Sequence, residues 1–162
     1  MRLDEIEFRN ALGHFVTGIC IVSMANKDLS ALGITINSFS SVSLDPPLVL
    51  FCLKRTAESF DKLMAVDYWG VNILTQAQKP LSERATRKGG EILKENEYKL
   101  KAFGVPIING SLSSLICKLE DKFIAGDHSI IVGRVMEIYS SVEQKPLVYF
   151  QKAYQRLDEN LA

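Results

Sequence analysis

The chain has 162 residues, 47% hydrophobic and 23% charged, and its nineteen basic residues balance nineteen acidic ones. That length suits a single domain, residues 1–162, with a core able to fold without disulfides or a structural metal. The zero net charge argues against a binder of nucleic acid or of an acidic membrane surface, and leaves small anions as the electrostatic ligands to consider.

Cys20, Cys52 and Cys117 lie far apart inside apolar runs, with no Cys-x-x-Cys spacing and no neighbouring His, so they read as buried free thiols. Two histidines, His14 and His128, are separated by most of the chain, and no metal site is expected. The first residues lead into a charged amphipathic stretch, not an apolar leader. No apolar run approaches the ~20 residues needed to cross a bilayer, so the expected location is cytoplasmic.

In chain order, Asp4 is a candidate helix cap with Glu7 three residues on, the spacing of a capping box. Phe8, Ala11, Leu12 and Phe15 follow at helical spacing, an apolar stripe that must pack on something. After Gly18 the period changes to that of strands. Residues 19–24 and 32–36 form an expected hairpin around a turn at Ala25-Asn26-Lys27-Asp28, and residues 48–53 follow the rigid Pro46-Pro47 pair. Residues 59–66 read as a helix and 68–74 as a strand. Thr75 and Gln78 suggest a further helix start, closed by Lys88-Gly89-Gly90. The charged residues 91–103 give no clear element. Two long strands, 112–123 and 129–139, flank Ala125-Gly126-Asp127-His128, and a short strand, 146–150, comes last. About seven strands joined by short turns imply antiparallel neighbours, and so many strands in one domain must close into a barrel or sandwich. A barrel with helices packed outside is the expected form.

Three segments carry candidate chemistry. Hydroxyl and amide side chains crowd the end of the second strand at Thr35, Asn37, Ser38, Ser40, Ser41 and Ser43. Such a run also makes an ordinary polar loop. Exposed N–H groups among short side chains, however, suit a planar heterocycle with carbonyl and imine edges. Next, Lys54-Arg55-Thr56-Ala57-Glu58-Ser59 runs from a strand into a helix. Its two cations and two hydroxyls beside a helix start form a candidate phosphate site, without the Walker pattern and in a chain that lacks Gly-x-Gly-x-x-Gly. Third, Gly126-Asp127-His128 presents a histidine in a turn, either as a surface residue or as a donor to a nucleotide. No Gly-x-Ser-x-Gly elbow occurs, and no acidic residue stands out for acid–base catalysis.

Taken together, these segments resemble the flavin reductase-like family, whose domain is an FMN-binding split barrel. The resemblance runs through Phe8-Arg9-Asn10-Ala11-Leu12-Gly13-His14-Phe15-Val16-Thr17-Gly18, then Gly33-x-Thr35-x-Asn37-Ser38-Phe39-Ser40-Ser41-Val42-Ser43-x-x-Pro46-Pro47. It continues in Ser59-Phe60, Gly70-Val71-Asn72-Ile73-Leu74, Leu81-Ser82, Gly104-Val105-Pro106, Gly126-Asp127-His128 and Pro146-Leu147-Val148-Tyr149-Phe150. It covers essentially the whole chain, and the order and spacing of the segments are more specific than any one of them. A departure is Ala85, where relatives commonly carry an aromatic residue.

The resemblance implies a mainly β domain with flanking helices, an antiparallel Greek-key split barrel. It implies that Thr35, Ile36, Asn37, Ser38, Phe39, Ser40 and Ser41 line the isoalloxazine and ribityl chain of FMN or FAD. Cys52, Leu53, Lys54, Arg55, Ser59 and Phe60 would approach the ribityl phosphate, with Lys54 and Arg55 both open as its cation. Asn72 and Ser82 would lie near the flavin, and Gly126, Asp127 and His128 would help position NADH. The implied reaction is hydride transfer from C4 of NADH to N5 of the flavin, with no catalytic side chain, by a homodimer that hands reduced flavin transiently to a separate oxygenase. An FMN-binding electron-transfer or storage protein, and a β-barrel carrier of a small ligand without redox chemistry, are the alternative readings.

Overall fold

The computed structural model describes residues 3–26, 28, 30–140 and 144–157, so Lys27 of the expected turn lies outside it. The chain begins with helix α1 (Glu5–Leu12), whose cap forms as expected: Asp4 Oδ1 accepts from the Glu7 N–H at 2.8 Å. Then come β1 (Thr17–Gly18), β2 (Cys20–Ala25), β3 (Ala31–Ile36), β4 (Ser40–Leu44) and β5 (Pro47–Lys54). Helix α2 (Glu58–Met64), β6 (Tyr68–Ile73) and α3 (Lys79–Ala85) follow. The second half holds β7 (Glu91–Ile92), β8 (Tyr98–Leu100), β9 (Pro106–Ile108), β10 (Ser113–Ala125), β11 (His128–Ser140), β12 (Val148–Phe150) and β13 (Ala153–Gln155).

Eight strands form one sheet in the order β4-β5-β11-β10-β6-β2-β3-β7, every neighbour antiparallel. The seven expected strands are present. Those missed are two or three residues long, apart from β4, whose serines had read as loop. The long β10–β11 hairpin organises the sheet. Residues 113–118 of β10 pair with β6, whereas residues 128–134 of β11 pair with β5. The hairpin therefore joins two wings, β4-β5 on one side and β6-β2-β3-β7 on the other, and β4 and β7 remain as unjoined outer strands. This is the split in the barrel.

One core cluster draws on both wings: Phe51 and Leu53 from β5, Ile131 from β11, Trp69 from β6, Val22 from β2 and Leu32 from β3. Only a curled sheet can bring strands so far apart in ladder order onto one core. Phe51 meets Trp69 edge to face, centroids 5.2 Å apart. Gly133 on β11 leaves room for that contact, since a Cβ there would stand 2.5 Å from the Trp69 ring. On the outside, α3 packs Leu81 and Ala85 against Ile21, Leu74 and Leu147. The small Ala85 is fully enclosed.

Helix α1 departs from its expected packing. Its apolar stripe belongs to no core cluster of the described residues, and Leu12 and Phe15 are 57% and 76% exposed. The helix is tied down at its exit by the β12–β13 turn. There the Gln151 N–H donates to Gly13 O at 2.8 Å and Lys152 Nζ to Asn10 Oδ1 at 2.5 Å. Both turn residues have positive φ, 47° and 63°, the pattern of a type I′ hairpin.

The most demanding polar group in the interior is Asn72, which is fully buried. Its Nδ2 donates to Ile21 O at 3.0 Å and Ser23 Oγ at 2.8 Å, and its Oδ1 accepts from the Ile108 N–H and Ser114 Oγ, both at 2.9 Å. All four hydrogen-bonding positions of the amide are filled. Ser23 Oγ in turn donates to Pro106 O, so one side chain fastens β2, β6, β9 and β10 together. Asn72→Ala leaves the buried Ile108 N–H without this partner and opens a void. The expected cost is about 3 kcal/mol or more. Urea unfolding should show a lower midpoint at unchanged slope; a loss under about 1 kcal/mol would refute the role.

Candidate functional site

The chain leaves β3 at Ile36, in one wing, and joins β4 at Ser40, in the other. Asn37, Ser38 and Phe39 bridge the gap, outside both ladders, and their N–H groups take part in no backbone hydrogen bond of the described residues. The break is stabilised by Ser38. Continuing the β4–β5 register would set Ser38 opposite Cys52, and there the Ser38 hydroxyl replaces a strand: its oxygen accepts from the Cys52 N–H at 3.0 Å and donates to Cys52 O at 3.2 Å. Phe39 anchors the bridge by packing on the main core.

These residues wall a cleft of about 590 Å³, within the range of roughly 300–1,000 Å³ usual for cofactor sites. Asn37, Ser38, Phe39 and Ser40 form one side. Leu12, Phe15 and Val16 at the exit of α1 face them, with Thr17, Gly18, Cys20 and Ile73 completing the lining. Thr17 Oγ1 is enclosed with no hydrogen-bond partner among the described residues. A largely apolar cleft with unused N–H donors on one edge and a stranded hydroxyl suits a planar ring that carries carbonyl and imine groups. The donor set thus fits an isoalloxazine. A second cleft, about 380 Å³, lies beside Thr35, Ile36 and the same Asn37, bounded by Glu83 of α3, by Thr86 that caps that helix, and by Tyr149, Lys152 and Tyr154. The apolar stripe of α1 and the Thr-Gly pair were visible in the sequence, but their place opposite Asn37 was not. No local signal marked Tyr154 or Lys152.

The remaining candidates separate into groups. Thr35 Oγ1 donates to Ser82 O at 2.7 Å, and Ser82 Oγ lies 2.9 Å from Tyr154 Oη, so both hydroxyls join β3, α3 and β13. Ser82 is fully buried and lines neither cleft, and neither does Asn72. Arg84 is bound to Glu91 at 3.2 Å and Glu97 at 2.5 Å, which fixes α3 to the segment behind it. Ser41 stands opposite Val49 in the β4–β5 ladder, and Ser40 Oγ donates to Ser41 O at 3.1 Å.

Beyond Cys52, Leu53 is buried in the core, while Lys54 and Arg55 are exposed. Ser59 is buried within α2, and Phe60 packs on the core with Lys122 Nζ 5.8 Å above its ring. Helix α2 has only seven residues, starts at Glu58 and has two acids in its first turn, so its N-terminus adds little attraction for an anion, contrary to expectation. The cations themselves remain. Lys54 pairs directly with His128 across β5 and β11, which brings the Gly126-Asp127-His128 turn against the Lys54–Arg55 loop. Lys54 Nζ is 3.9 Å from Asp127 Oδ2, whereas the Arg55 guanidinium has no ion pair among the described residues.

The three thiols are free. Burial pushes Cys20 and Cys117 up to about 12, and pushes the partly exposed Cys52 upward to a lesser degree. A raised thiol holds its proton, which disfavours nucleophilic attack. Alkylation of the native protein at about pH 8 should therefore modify Cys52 alone, more slowly than a free thiol, with all three reacting after denaturation. Native labelling of Cys20 or Cys117 would contradict the packing.

The flavin reductase like domain matches residues 12–158 of the chain. The chain is 38% identical over 129 residues to the FMN reductase (NADH) SmoA of Agrobacterium fabrum, covering 80% of this chain and 73% of that protein. It is 32% identical over 155 residues to HsaB of Mycobacterium tuberculosis, the reductase subunit of a flavin-dependent monooxygenase, covering 94% and 82%. Another curated relative is longer, and the chain matches 44% of its length. Among solved structures, the Streptomyces globisporus NADH:FAD oxidoreductase SgcE6, in complex with NAD and FAD fragments, superposes with a TM-score of 0.90 at 26% identity over the full length of both chains. The family match over nearly the whole chain agrees with the split barrel: this chain belongs to the flavin reductase-like family.

Proposed function

We propose that the chain is an NADH-dependent reductase of FMN or FAD that supplies reduced flavin to a separate monooxygenase. The observation that carries this reading is the set of three consecutive N–H groups, at Asn37, Ser38 and Phe39, left outside every ladder on the wall of the larger cleft. A flavin held by these residues would supply the redox chemistry, as an acceptor of hydride from NADH. The protein's residues bind and orient. The backbone donors at 37–39 would hold the polar edge of the ring and would favour negative charge on it. Leu12, Phe15 and Phe39 supply the apolar part of the cleft lining, and no side chain need exchange a proton with the reacting carbon.

Of the two phosphate candidates, Arg55 is the better assigned. Lys54 is already drawn to Asp127, while the Arg55 guanidinium has no ion pair among the described residues and offers a planar fork to phosphate oxygens. His128 and the turn that holds it serve NADH. The exposed apolar stripe of α1, with Phe123, Ile124 and Ile138 on the outer parts of the long hairpin, fits coverage by a second copy, and a homodimer is part of the proposal. Three unpaired thiols suit the reducing cytoplasm.

Anaerobic stopped-flow mixing of protein and FMN or FAD with NADH tests the function. Loss of oxidised-flavin absorbance should be much faster than in the protein-free mixture, and no acceleration would overturn the reading. In the same assay Arg55→Ala should weaken flavin affinity roughly tenfold or more, and Lys54→Ala clearly less. The reverse order would reassign the phosphate to Lys54.

A further inference from the structure

Asp127 stands where the two parts of the proposed site meet. Turn residues Gly126 and Asp127 join β10 to β11, and only Gly126 has positive φ, 63°, the pattern of a type II′ hairpin, which requires glycine first. That geometry sets Asp127 between His128 and the Lys54–Arg55 loop. Its Oδ1 lies 2.8 Å from His128 Nδ1, its Oδ2 3.9 Å from Lys54 Nζ, and its main-chain oxygen accepts from the Arg55 N–H at 3.0 Å.

An ionised carboxylate can only accept, so the proton shared with His128 belongs on Nδ1 and leaves Nε2, on the far side of the ring, for another partner. The hydrogen bond from His128, as chief cause, and the charge of Lys54, as the least, hold the Asp127 carboxyl below the usual carboxylate range. The arrangement therefore persists through neutral pH and is lost only as pH falls through that lowered value. The charged groups around the imidazole are Asp127 in its own turn, Lys54 opposite on β5 and Arg55 beyond it. Lys122 on β10 is engaged over Phe60.

We propose that Asp127 is a positioning residue: it fixes the His128 imidazole with Nε2 toward NADH, and it joins that turn to the loop assigned to the flavin phosphate. This rests on the reading of the chain as an NADH-dependent flavin reductase. The main-chain bond from Arg55 survives any substitution at 127, so side-chain variants isolate the carboxylate. Asp127→Asn keeps an acceptor for Nδ1–H and removes the charge, and Asp127→Ala removes both.

Two readouts test the proposal. Nitrogen-15 NMR of the imidazole in the flavin-free protein, in alkaline buffer, should place the His128 proton on Nδ1. In Asp127→Ala it should move toward Nε2, the tautomer an unconstrained imidazole favours, and Asp127→Asn should restore it. Kinetically, Asp127→Ala should raise the KM for NADH about tenfold, more than it changes kcat, with no loss of flavin affinity, and Asp127→Asn should recover most of the effect. A wild-type proton on Nε2, an unchanged KM for NADH, or equal weakening of flavin and NADH would overturn it. If the wild-type protein fails to oxidise NADH, the functional reading falls, and the imidazole spectrum still decides whether Asp127 orients His128.

Discussion

Between Ile36 and Ser40 the chain crosses from an inner strand of one barrel wing to the outer strand of the other, and the site depends on how it makes that crossing. Three residues suffice because Phe39 is anchored in the core and the Ser38 hydroxyl takes the place of a strand opposite Cys52. Ladder bonding is thereby interrupted without leaving Cys52 unsatisfied. Backbone N–H groups that no ladder engages are free to donate, and three of them in succession beside a cleft suit a partner rich in acceptors.

The rest of the architecture holds that crossing in place. Contact of Phe51 with Trp69 draws the wings onto one core, and the bare backbone of Gly133 permits it. Asn72 ties β2 to β6, β9 and β10 behind the cleft. Thr35, Ser82 and Tyr154 link the end of β3 to α3 and β13. At the other end of the site the β5–β11 register sets His128 against Lys54, so the turn proposed for NADH and the loop proposed for phosphate share one pair of strands.

Much of this was legible in the sequence where side-chain period and apolar runs were strong. The hairpin of β2 and β3, the strand after Pro46-Pro47 and the two long strands around Gly126 all appeared at nearly their observed positions. β4 was hidden because its serines have weak strand propensity and its pairing comes from the neighbouring β5. The crowded polar run at residues 35–43 stood out in the sequence. Its division into a ladder-free bridge and an outer strand depends on tertiary register, which local composition does not carry. Asn72 shows the opposite difficulty. A lone amide in an apolar strand looks the same whether it faces a ligand or a buried network, and only the positions of Ser23, Ser114 and Ile108 distinguish them. Likewise, the stripe of α1 announced a packing face but not that this face lies outside the chain's own core.

Amide NMR addresses the three backbone amides of the bridge individually. On titration with riboflavin phosphate, the N–H resonances of Asn37, Ser38 and Phe39 should shift downfield and gain protection from solvent exchange, while Ile108, bonded to Asn72, stays unchanged. Saturable flavin binding that leaves all three unshifted would place the ring elsewhere and contradict the account.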